Sequence, residues 1–209
     1  MMRHTDKETQ SRGRKSRVMG MIMGMAGGVM TTVITLMGAV SSAHAAPLQF
    51  TLHEASLGEV TEKQWPDKYL FIAIGYTSCP EICPTTAMDM AGVMNRLGEK
   101  AKHVVPLFIS IDPHRDTASN LAQYVSYFHP NLVGLVGTDA QTKAVAKALK
   151  STYGYSRDGK PVYPPLPALY EVFHSTYMYL YGPDRELIDV YGYGDGPEKM
   201  AAHIAREIP

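Results

Sequence analysis

The chain has 209 residues and a formal net charge of zero at pH 7, with 20 basic and 20 acidic side chains. The charge is unevenly distributed, because the first 17 residues carry six Lys or Arg but only two acidic residues. Residues 46–209 are therefore acidic overall, which excludes the basic stripe expected of a nucleic-acid-binding protein. Only two cysteines are present, which excludes the disulfide framework of a small secreted scaffold.

The N-terminal segment is organised like an export signal. Its basic start is followed by the uncharged stretch 18–40, and the small residues Ala43 and Ala45 mark a cleavage point after Ala45. The apolar stretch is also long enough to span a bilayer as an uncleaved anchor. We therefore predict that residues 1–45 are an export signal or an N-terminal membrane anchor, and that residues 46–209 form one domain outside the cytoplasm.

The first elements of this domain are predicted from its apolar residues. Leu48, Phe50 and Leu52 alternate with polar neighbours, which predicts a half-buried strand. Residues 69–75 are an apolar run that ends in glycine, which predicts a strand buried on both faces. A helix is predicted to begin at Pro84, because proline suits the first helical position, and to end near residue 97.

The middle of the chain alternates between apolar strands and amphipathic helices. Strands are predicted at 104–111 and 132–136. Each is followed by a helix with polar residues at its N-cap, which are Asp116 and Thr117 for the first helix and Thr138 for the second. The second helix is predicted to end near residue 151.

The last third of the chain predicts a loop, a hairpin and a helix. Residues 153–169 are rich in Tyr, Pro and Gly, which predicts a loop. The apolar runs 177–181 and 187–190 flank a Gly-Pro-Asp-Arg turn and predict a β-hairpin. A closing amphipathic helix carries its apolar residues at helical spacing, at Met200, Ile204 and Ile208.

This order of elements predicts an α/β protein with a thioredoxin-like fold. Such a fold has a central mixed sheet flanked by helices, here with an N-terminal strand extension and an inserted helix and strand. If the first hairpin strand runs antiparallel to the strand at 69–75, its beginning lies beside the end of that strand. The fold therefore predicts that His174 lies next to Cys79 and Cys83.

The two cysteines lie between a strand and a helix, where the positive end of the helix favours a thiolate over a thiol. With His174 they offer two thiolates and one imidazole, a soft ligand set that suits copper better than zinc, for which no fourth ligand is evident. A redox-active pair that attacks a partner's disulfide is the alternative. An inert disulfide is the third interpretation, although it would close a tiny loop and add little stability. The residues alone leave metal binding and thiol exchange open.

The chain resembles the Sco/SenC family of copper proteins, over nearly all of residues 48–208. The motifs that carry the resemblance are Gly-Tyr-Thr-Ser-Cys-Pro-Glu-Ile-Cys-Pro at 75–84, Ser-Ile-Asp-Pro-His-Arg-Asp-Thr at 110–117, His-Ser at 174–175 and Tyr-Leu-Tyr-Gly-Pro-Asp at 179–184. The resemblance implies a thioredoxin-like domain that binds one copper, as Cu(I) or Cu(II), through Cys79, Cys83 and His174.

The resemblance also implies a function and a location. Members of this family face the outside of the inner membrane, which here predicts the periplasm. They deliver copper to the binuclear centre of cytochrome c oxidase, so the predicted partners are its copper-accepting subunit and other periplasmic copper chaperones. Some members also reduce the disulfide of the acceptor site, which would make Cys79 and Cys83 a redox-active pair. The protein would then be mainly a metallochaperone, and the alternative is a thiol-disulfide oxidoreductase or a redox or copper sensor that carries no metal.

The chain departs from the family pattern next to the predicted metal-binding histidine. Phe173 stands where the family often has Asp. A carboxylate at that position can orient the imidazole and strengthen it as a ligand, so its replacement predicts weaker copper binding. Two further departures, Glu81 for Asp and Ala118 for Pro, are conservative in character. Asp112 and Arg115, in the second motif, are expected to pair with each other or to face a partner protein.

Overall fold

The computed structural model describes residues 46–209. The predicted export signal or membrane anchor, residues 1–45, lies outside the described residues. Among the helices of residues 46–209, none combines the length and hydrophobicity needed to cross a membrane.

The described residues form ten strands and four α-helices. The strands are β1 (Thr51–Glu54), β2 (Gly58–Thr61), β3 (Tyr69–Gly75), β4 (Val104–Ser110), β5 (Val133–Leu135), β6 (Tyr153–Arg157), β7 (Lys160–Val162), β8 (Glu171–His174), β9 (Met178–Tyr181) and β10 (Leu187–Tyr191). The helices are α1 (Ile82–Leu97), α2 (Ala118–Ser126), α3 (Asp139–Ala148) and α4 (Pro197–Glu207), with short 3₁₀ helices at Glu62–Gln64 and Gly98–His103.

A five-stranded mixed sheet forms the centre, in the order β10-β9-β3-β4-β5. Strands β3, β4 and β5 are parallel, and β9 pairs antiparallel with β3. The central strand β3 is apolar on both faces because both faces are covered, and Phe71 and Ile72 are fully buried. Helices α1 and α4 pack against each other, while α2 packs on β5. This confirms the predicted thioredoxin-like fold with its mixed sheet and flanking helices.

The N-terminal extension is a hairpin of β1 and β2. The predicted strand begins later than expected, at Thr51, although Leu48 and Phe50 are buried as their apolar character predicts. The N–H of Phe50 donates a hydrogen bond to the buried carboxylate of Glu62, at 3.0 Å, instead of to a neighbouring strand. The extension reaches the central sheet through a single bridge between His53 and Val136.

The prediction of a loop at 153–169 is wrong for part of that segment. Strands β6 and β7 form a hairpin, and β6 also pairs with β8 in a separate three-stranded sheet. The turn of this hairpin is Asp158-Gly159, with φ values of 51° and 71°. Asp-Gly is a typical turn for two-residue hairpins, so the signal was present in the sequence.

This small sheet changes the route by which His174 reaches the cysteines. The first hairpin strand, predicted at 177–181, is β9, and it runs antiparallel to β3 as expected. His174 is the last residue of β8, where it pairs with Tyr153 of β6. The imidazole is therefore supported by a second sheet beside the central one.

Candidate metal centre

The structure brings the two cysteines and His174 together. One potential ligand atom from each lies within 4.8 Å of the others, and no second group of three or more His, Cys, Asp or Glu side chains in residues 46–209 is arranged in this way. The Sγ atom of Cys83 is 3.5 Å from Nε2 of His174. Both cysteines are free thiols. Three soft ligands thus converge from two separate parts of the chain.

The cysteines are positioned by the end of β3 and the start of α1. Helix α1 begins at Ile82, two residues before the predicted start, so Cys83 lies in its first turn and Cys79 precedes it. The N–H of Cys83 donates to Sγ of Cys79 at 3.4 Å. Gly75 lets the strand approach this turn closely, because a Cβ atom there would lie 2.9 Å from Sγ of Cys83.

The imidazole of His174 is oriented by a backbone carbonyl. Its Nδ1 atom lies 2.9 Å from the carbonyl oxygen of Ser175. The carbonyl can only accept, so Nδ1 carries the hydrogen and Nε2 presents its lone pair toward Cys83. The Ser175 carbonyl therefore performs the orienting role that an Asp at position 173 would perform. The side chain of Phe173 points elsewhere, onto Gly154 of the neighbouring strand, and is 54% exposed.

The two thiols differ in burial and acidity. Cys79 is 9% exposed and Cys83 only 1%. Burial by itself would raise the pKa of Cys79, but hydrogen bonds from the Cys83 thiol and from N–H groups at the start of α1 outweigh it and lower that pKa. Burial, together with its hydrogen bond to Cys79, raises the pKa of Cys83. Cys79 is thus the first thiolate to form.

Burial also acts on the imidazole. It lowers the pKa of His174 below the ordinary value of 6.5, and the hydrogen bond to Ser175 only partly opposes this effect. The ring is therefore neutral at pH 7, which is the form that binds metals. Tyr76 packs its ring edge-on against the imidazole, with the ring centres 6.1 Å apart.

A cavity of about 300 Å³ opens onto the site. Tyr76, Cys79 and Ile82 line one side, while Val172 and His174 line the other. Cys83 lies behind them. A larger cavity of about 530 Å³, between the N-terminal hairpin and α3, is lined by neither thiols nor imidazoles. The smaller cavity is therefore the candidate metal centre.

The segment after β4 also contacts the site, in a way that the sequence analysis missed. Arg115 donates through Nε to the fully buried carboxylate of Asp112. The sequence analysis gave this pairing as one of two expectations. Tyr170 donates to the same carboxylate at 2.7 Å. The guanidinium lies 4.1 Å from the ring centre of Tyr170 and 5.6 Å from that of Tyr76. It therefore links the loop that carries Cys79 to the segment that leads into β8.

Asp116 has a different role from the one predicted. It was expected to share the N-cap of α2, but the cap is Thr117 alone, in a reciprocal capping box with Asn120. The carboxylate of Asp116 is buried and accepts hydrogen bonds from Thr77 in the cysteine loop. No periodic pattern signals such a contact, because it joins two segments that are distant in sequence.

The donor set fits a soft metal ion. Two thiolates and one neutral imidazole are ligands for Cu(I) or Zn(II), whereas Mg²⁺ and Ca²⁺ prefer oxygen. A closed zinc site needs a fourth ligand, and no fourth His, Cys, Asp or Glu joins this group in residues 46–209. The same two thiols can also exchange electrons with a disulfide.

Comparisons with known proteins agree with this geometry. Residues 39–209 match the family model described as SCO1/SenC. The human protein named "Protein SCO1 homolog, mitochondrial" is 35% identical over 164 residues, which cover 78% of this chain and 52% of that protein. "Protein SCO1 homolog 1, mitochondrial" of Arabidopsis thaliana is 33% identical over 150 residues, which cover 71% of this chain and 43% of that protein. The chain thus spans about half the length of these curated relatives.

A solved structure extends the similarity to three dimensions. The crystal structure of Arabidopsis thaliana ScoI with copper bound has a TM-score of 0.69 and 32% sequence identity to this chain. The match covers 78% of this chain and 97% of that one.

Proposed function

The chain belongs to the SCO1/SenC family, and from this premise we propose that it binds one copper ion through Cys79, Cys83 and His174 and delivers it during the assembly of cytochrome c oxidase. The observation that carries this proposal is the convergence of the three ligand atoms within 4.8 Å of one another. Residues 46–209 are the domain that performs this function, and residues 1–45 export or anchor it.

The copper-bound structure of the Arabidopsis protein supports the choice of metal, since that protein shares the fold and 32% of its sequence. Copper in a site of two thiolates and one imidazole keeps room for an incoming ligand. The partner would be the copper-accepting subunit of cytochrome c oxidase, at its binuclear copper centre. Other periplasmic copper chaperones would supply the ion, at the outer face of the inner membrane.

Transfer proceeds by exchange of ligands. The cavity opens onto Cys79 and His174, so an acceptor's sulfur approaches the ion from that side. Cys79 lies at the cavity and leaves first, whereas Cys83 is almost fully buried and leaves last. Because each departing ligand is replaced before the next one leaves, the ion never has to be released into water.

A second candidate function rests on the unequal acidity of the two thiols. The Cys79 thiolate attacks one sulfur of a partner's disulfide, forming a mixed disulfide while the other partner sulfur leaves as a thiolate. Cys83 then attacks Sγ of Cys79, which closes the Cys79–Cys83 disulfide and releases the second partner thiolate. Two electrons pass to the partner, as in reduction of the acceptor site before copper arrives. The lowered pKa of Cys79 and the buried position of Cys83 favour this order.

The experiment that tests the proposal is a copper titration of the full chain, purified under reducing conditions. Competition with a Cu(I)-selective chelator measures the stoichiometry and affinity, and a copper-free acceptor domain from the oxidase then tests transfer. We expect one Cu(I) per chain and movement of that ion to the acceptor. A chain that binds no copper, yet reduces the oxidised acceptor, would favour the oxidoreductase instead.

A further inference from the structure

Asp116 is a buried carboxyl group without a cationic partner among residues 46–209. Its exposure is 2%, and none of the ion pairs within residues 46–209 includes it. The carboxylate accepts hydrogen bonds from the N–H of Thr77 at 3.1 Å, the hydroxyl of Thr77 at 2.5 Å and the hydroxyl of Ser110 at 2.6 Å. Burying a carboxylate among neutral donors costs free energy, so its presence at this position requires an explanation.

Capping of helix α2 does not supply that reason. The hydroxyl of Thr117 accepts from the N–H of Asn120 at 3.2 Å, and the side chain of Asn120 accepts from the N–H of Thr117 at 2.7 Å. This reciprocal box satisfies the start of the helix without Asp116. Its carboxylate points away from the helix, toward the end of β3.

The bonds of Asp116 hold the loop that carries Cys79. Thr77 lies two residues before Cys79, and within the loop the only other backbone bond is from the N–H of Cys79 to the carbonyl of Tyr76, at 3.3 Å. In the described part of the chain, Thr77 makes its hydrogen bonds to another segment through Asp116 alone, while the backbone of Tyr76 bonds the Cys83 thiol. Ser110, the other partner, ends β4 and is itself fully buried. The carboxylate therefore links the loop between β3 and α1 to the end of strand β4.

We propose that Asp116 is a positioning residue for Cys79, which holds its sulfur at the distance from Cys83 and His174 that copper binding requires. The inference rests on the proposed function, because a displaced Cys79 sulfur is detected as a loss of copper affinity. Three ligands on separate elements bind well only if each is held in place before the ion arrives. Without the carboxylate, the N–H and hydroxyl of Thr77 lose their acceptor, and the loop loses its link to the end of β4.

The test compares four variants of the full chain. Asp116→Ala removes every acceptor, and Asp116→Asn keeps the shape and one acceptor oxygen while its amide can donate to a hydroxyl. Thr77→Val removes only one hydroxyl from the clamp. Thr117→Ala is the matched control, because it weakens the neighbouring helix cap without touching the cysteine loop. For each variant, Cu(I) affinity is measured by competition with a chelator, and the unfolding temperature is measured in parallel.

We expect Asp116→Ala to lower the Cu(I) affinity about 10- to 100-fold, the range typical of groups that orient metal ligands. Thr77→Val should lower it about threefold, and Asp116→Asn should recover most of the loss. Thr117→Ala should lower the unfolding temperature but leave the copper affinity unchanged. An Asp116→Ala variant that binds copper as tightly as Thr117→Ala would overturn the proposal. So would an Asp116→Asn variant as weak as Asp116→Ala.

A second measurement separates this inference from the proposed function, because it needs no copper. In the exchange with dithiothreitol, the Cys79–Cys83 disulfide takes up two electrons and two protons and the reagent becomes a cyclic disulfide. A loosened loop lowers the effective concentration of one thiol near the other, so Asp116→Ala should shift this equilibrium toward the dithiol by at least about threefold. Failure of the wild-type chain to bind copper would contradict the proposed function. An equilibrium that is the same in Asp116→Ala and Thr117→Ala would contradict the positioning role.

Discussion

The Nε2 atom of His174 lies 3.5 Å from Sγ of Cys83, although 91 positions separate the two residues in the chain. The imidazole comes from β8 of the small sheet, and the thiol comes from the first turn of α1. Neither element alone has more than two potential ligands. The metal centre can therefore form only after the domain has folded, so its metal affinity depends on the tertiary structure and not on a local motif.

The contribution of His174 is tested by substitution with alanine. The His174→Ala variant should lose about 100-fold or more in Cu(I) affinity, because it removes one of three ligands. The rate of exchange of its thiols with a model disulfide should change little, since both cysteines remain. The matched control is His114→Ala, which removes an imidazole that lies 2.9 Å from Asp139 and away from the cysteines. Equal copper affinity in the two variants would rule out the three-ligand site.

The unequal acidity of the thiols predicts an order of modification. In the copper-free, reduced chain at pH 7, iodoacetamide should label Cys79 before Cys83, because Cys79 has the lowered pKa and the greater exposure. We expect a rate difference of about tenfold or more, measured by mass spectrometry of the labelled peptides. Prior loading with copper should protect both. Faster labelling of Cys83 would contradict the geometry at the start of α1.

Copper binding should release protons, because a thiol must lose its proton to become a thiolate ligand. The pKa of Cys83 is raised, so metal binding at pH 7 should release one proton from that thiol, and at most one more from Cys79, whose pKa is lowered. His174 should release none at this pH, because burial lowers its pKa below 6.5 and the ring is already neutral. The Cu(I) affinity should therefore fall as the pH falls, and more steeply once the pH drops below the pKa of His174. Calorimetry in buffers of different ionisation enthalpy counts the protons, and a count near zero would contradict thiolate ligation.

The close approach of β3 to α1 predicts that Gly75 tolerates no side chain. A Cβ atom there would lie 2.4 Å from the ring of Phe108 and 2.9 Å from Sγ of Cys83. Gly75→Ala should therefore lower the free energy of unfolding by about 1–3 kcal/mol, the usual cost of overpacking a core. The control is Gly192→Ala, where the nearest atom would be 3.7 Å away, and it should stay within about 0.5 kcal/mol of wild type. Chemical denaturation of both variants measures the difference.

The ion pair of Arg115 and Asp112 predicts a non-additive effect on stability. Arg115→Ala leaves the fully buried carboxylate of Asp112 with only Tyr170 as a hydrogen-bond donor, and should lower the free energy of unfolding by about 1–3 kcal/mol. Adding Asp112→Asn to this variant removes the unpaired charge and should recover part of the loss. A double variant whose loss equals the sum of the two single losses would show that the pair does not act as a unit.

Much of the fold follows from local patterns in the sequence. The strand β3 is recognisable because Leu70, Phe71 and Ile72 belong to an apolar run that ends in glycine, which is typical of a strand buried on both faces. The caps Thr117 and Thr138 mark their helices because a hydroxyl satisfies the first free N–H groups. The hairpin of β6 and β7 was missed because its tyrosines and prolines suggest a loop, although Asp158-Gly159 signals the turn.

The metal centre was only partly accessible from the sequence. The spacing of Cys79 and Cys83 and the order of the strands were enough to place His174 beside them, although the strand β8 that carries it was not predicted. The pairing of Arg115 with Asp112 was one of two expectations. The bonds of Asp116 to Thr77 and the stacking of Arg115 on tyrosine rings could not be predicted, because they depend on which side chain faces which across the ends of β3 and β4. An Asp-Thr pair before a helix offers two candidates for one N-cap. Only tertiary contacts decide which residue caps the helix and which one bonds another segment.

X-ray absorption at the copper edge of the full chain, loaded with one Cu(I) under reducing conditions, tests the proposed metal centre most directly. It should find two sulfur neighbours and one nitrogen neighbour per copper, and the nitrogen should disappear in His174→Ala while both sulfurs remain. Copper coordinated by sulfur alone in the wild-type chain, or a spectrum that His174→Ala leaves unchanged, would contradict ligation by Cys79, Cys83 and His174.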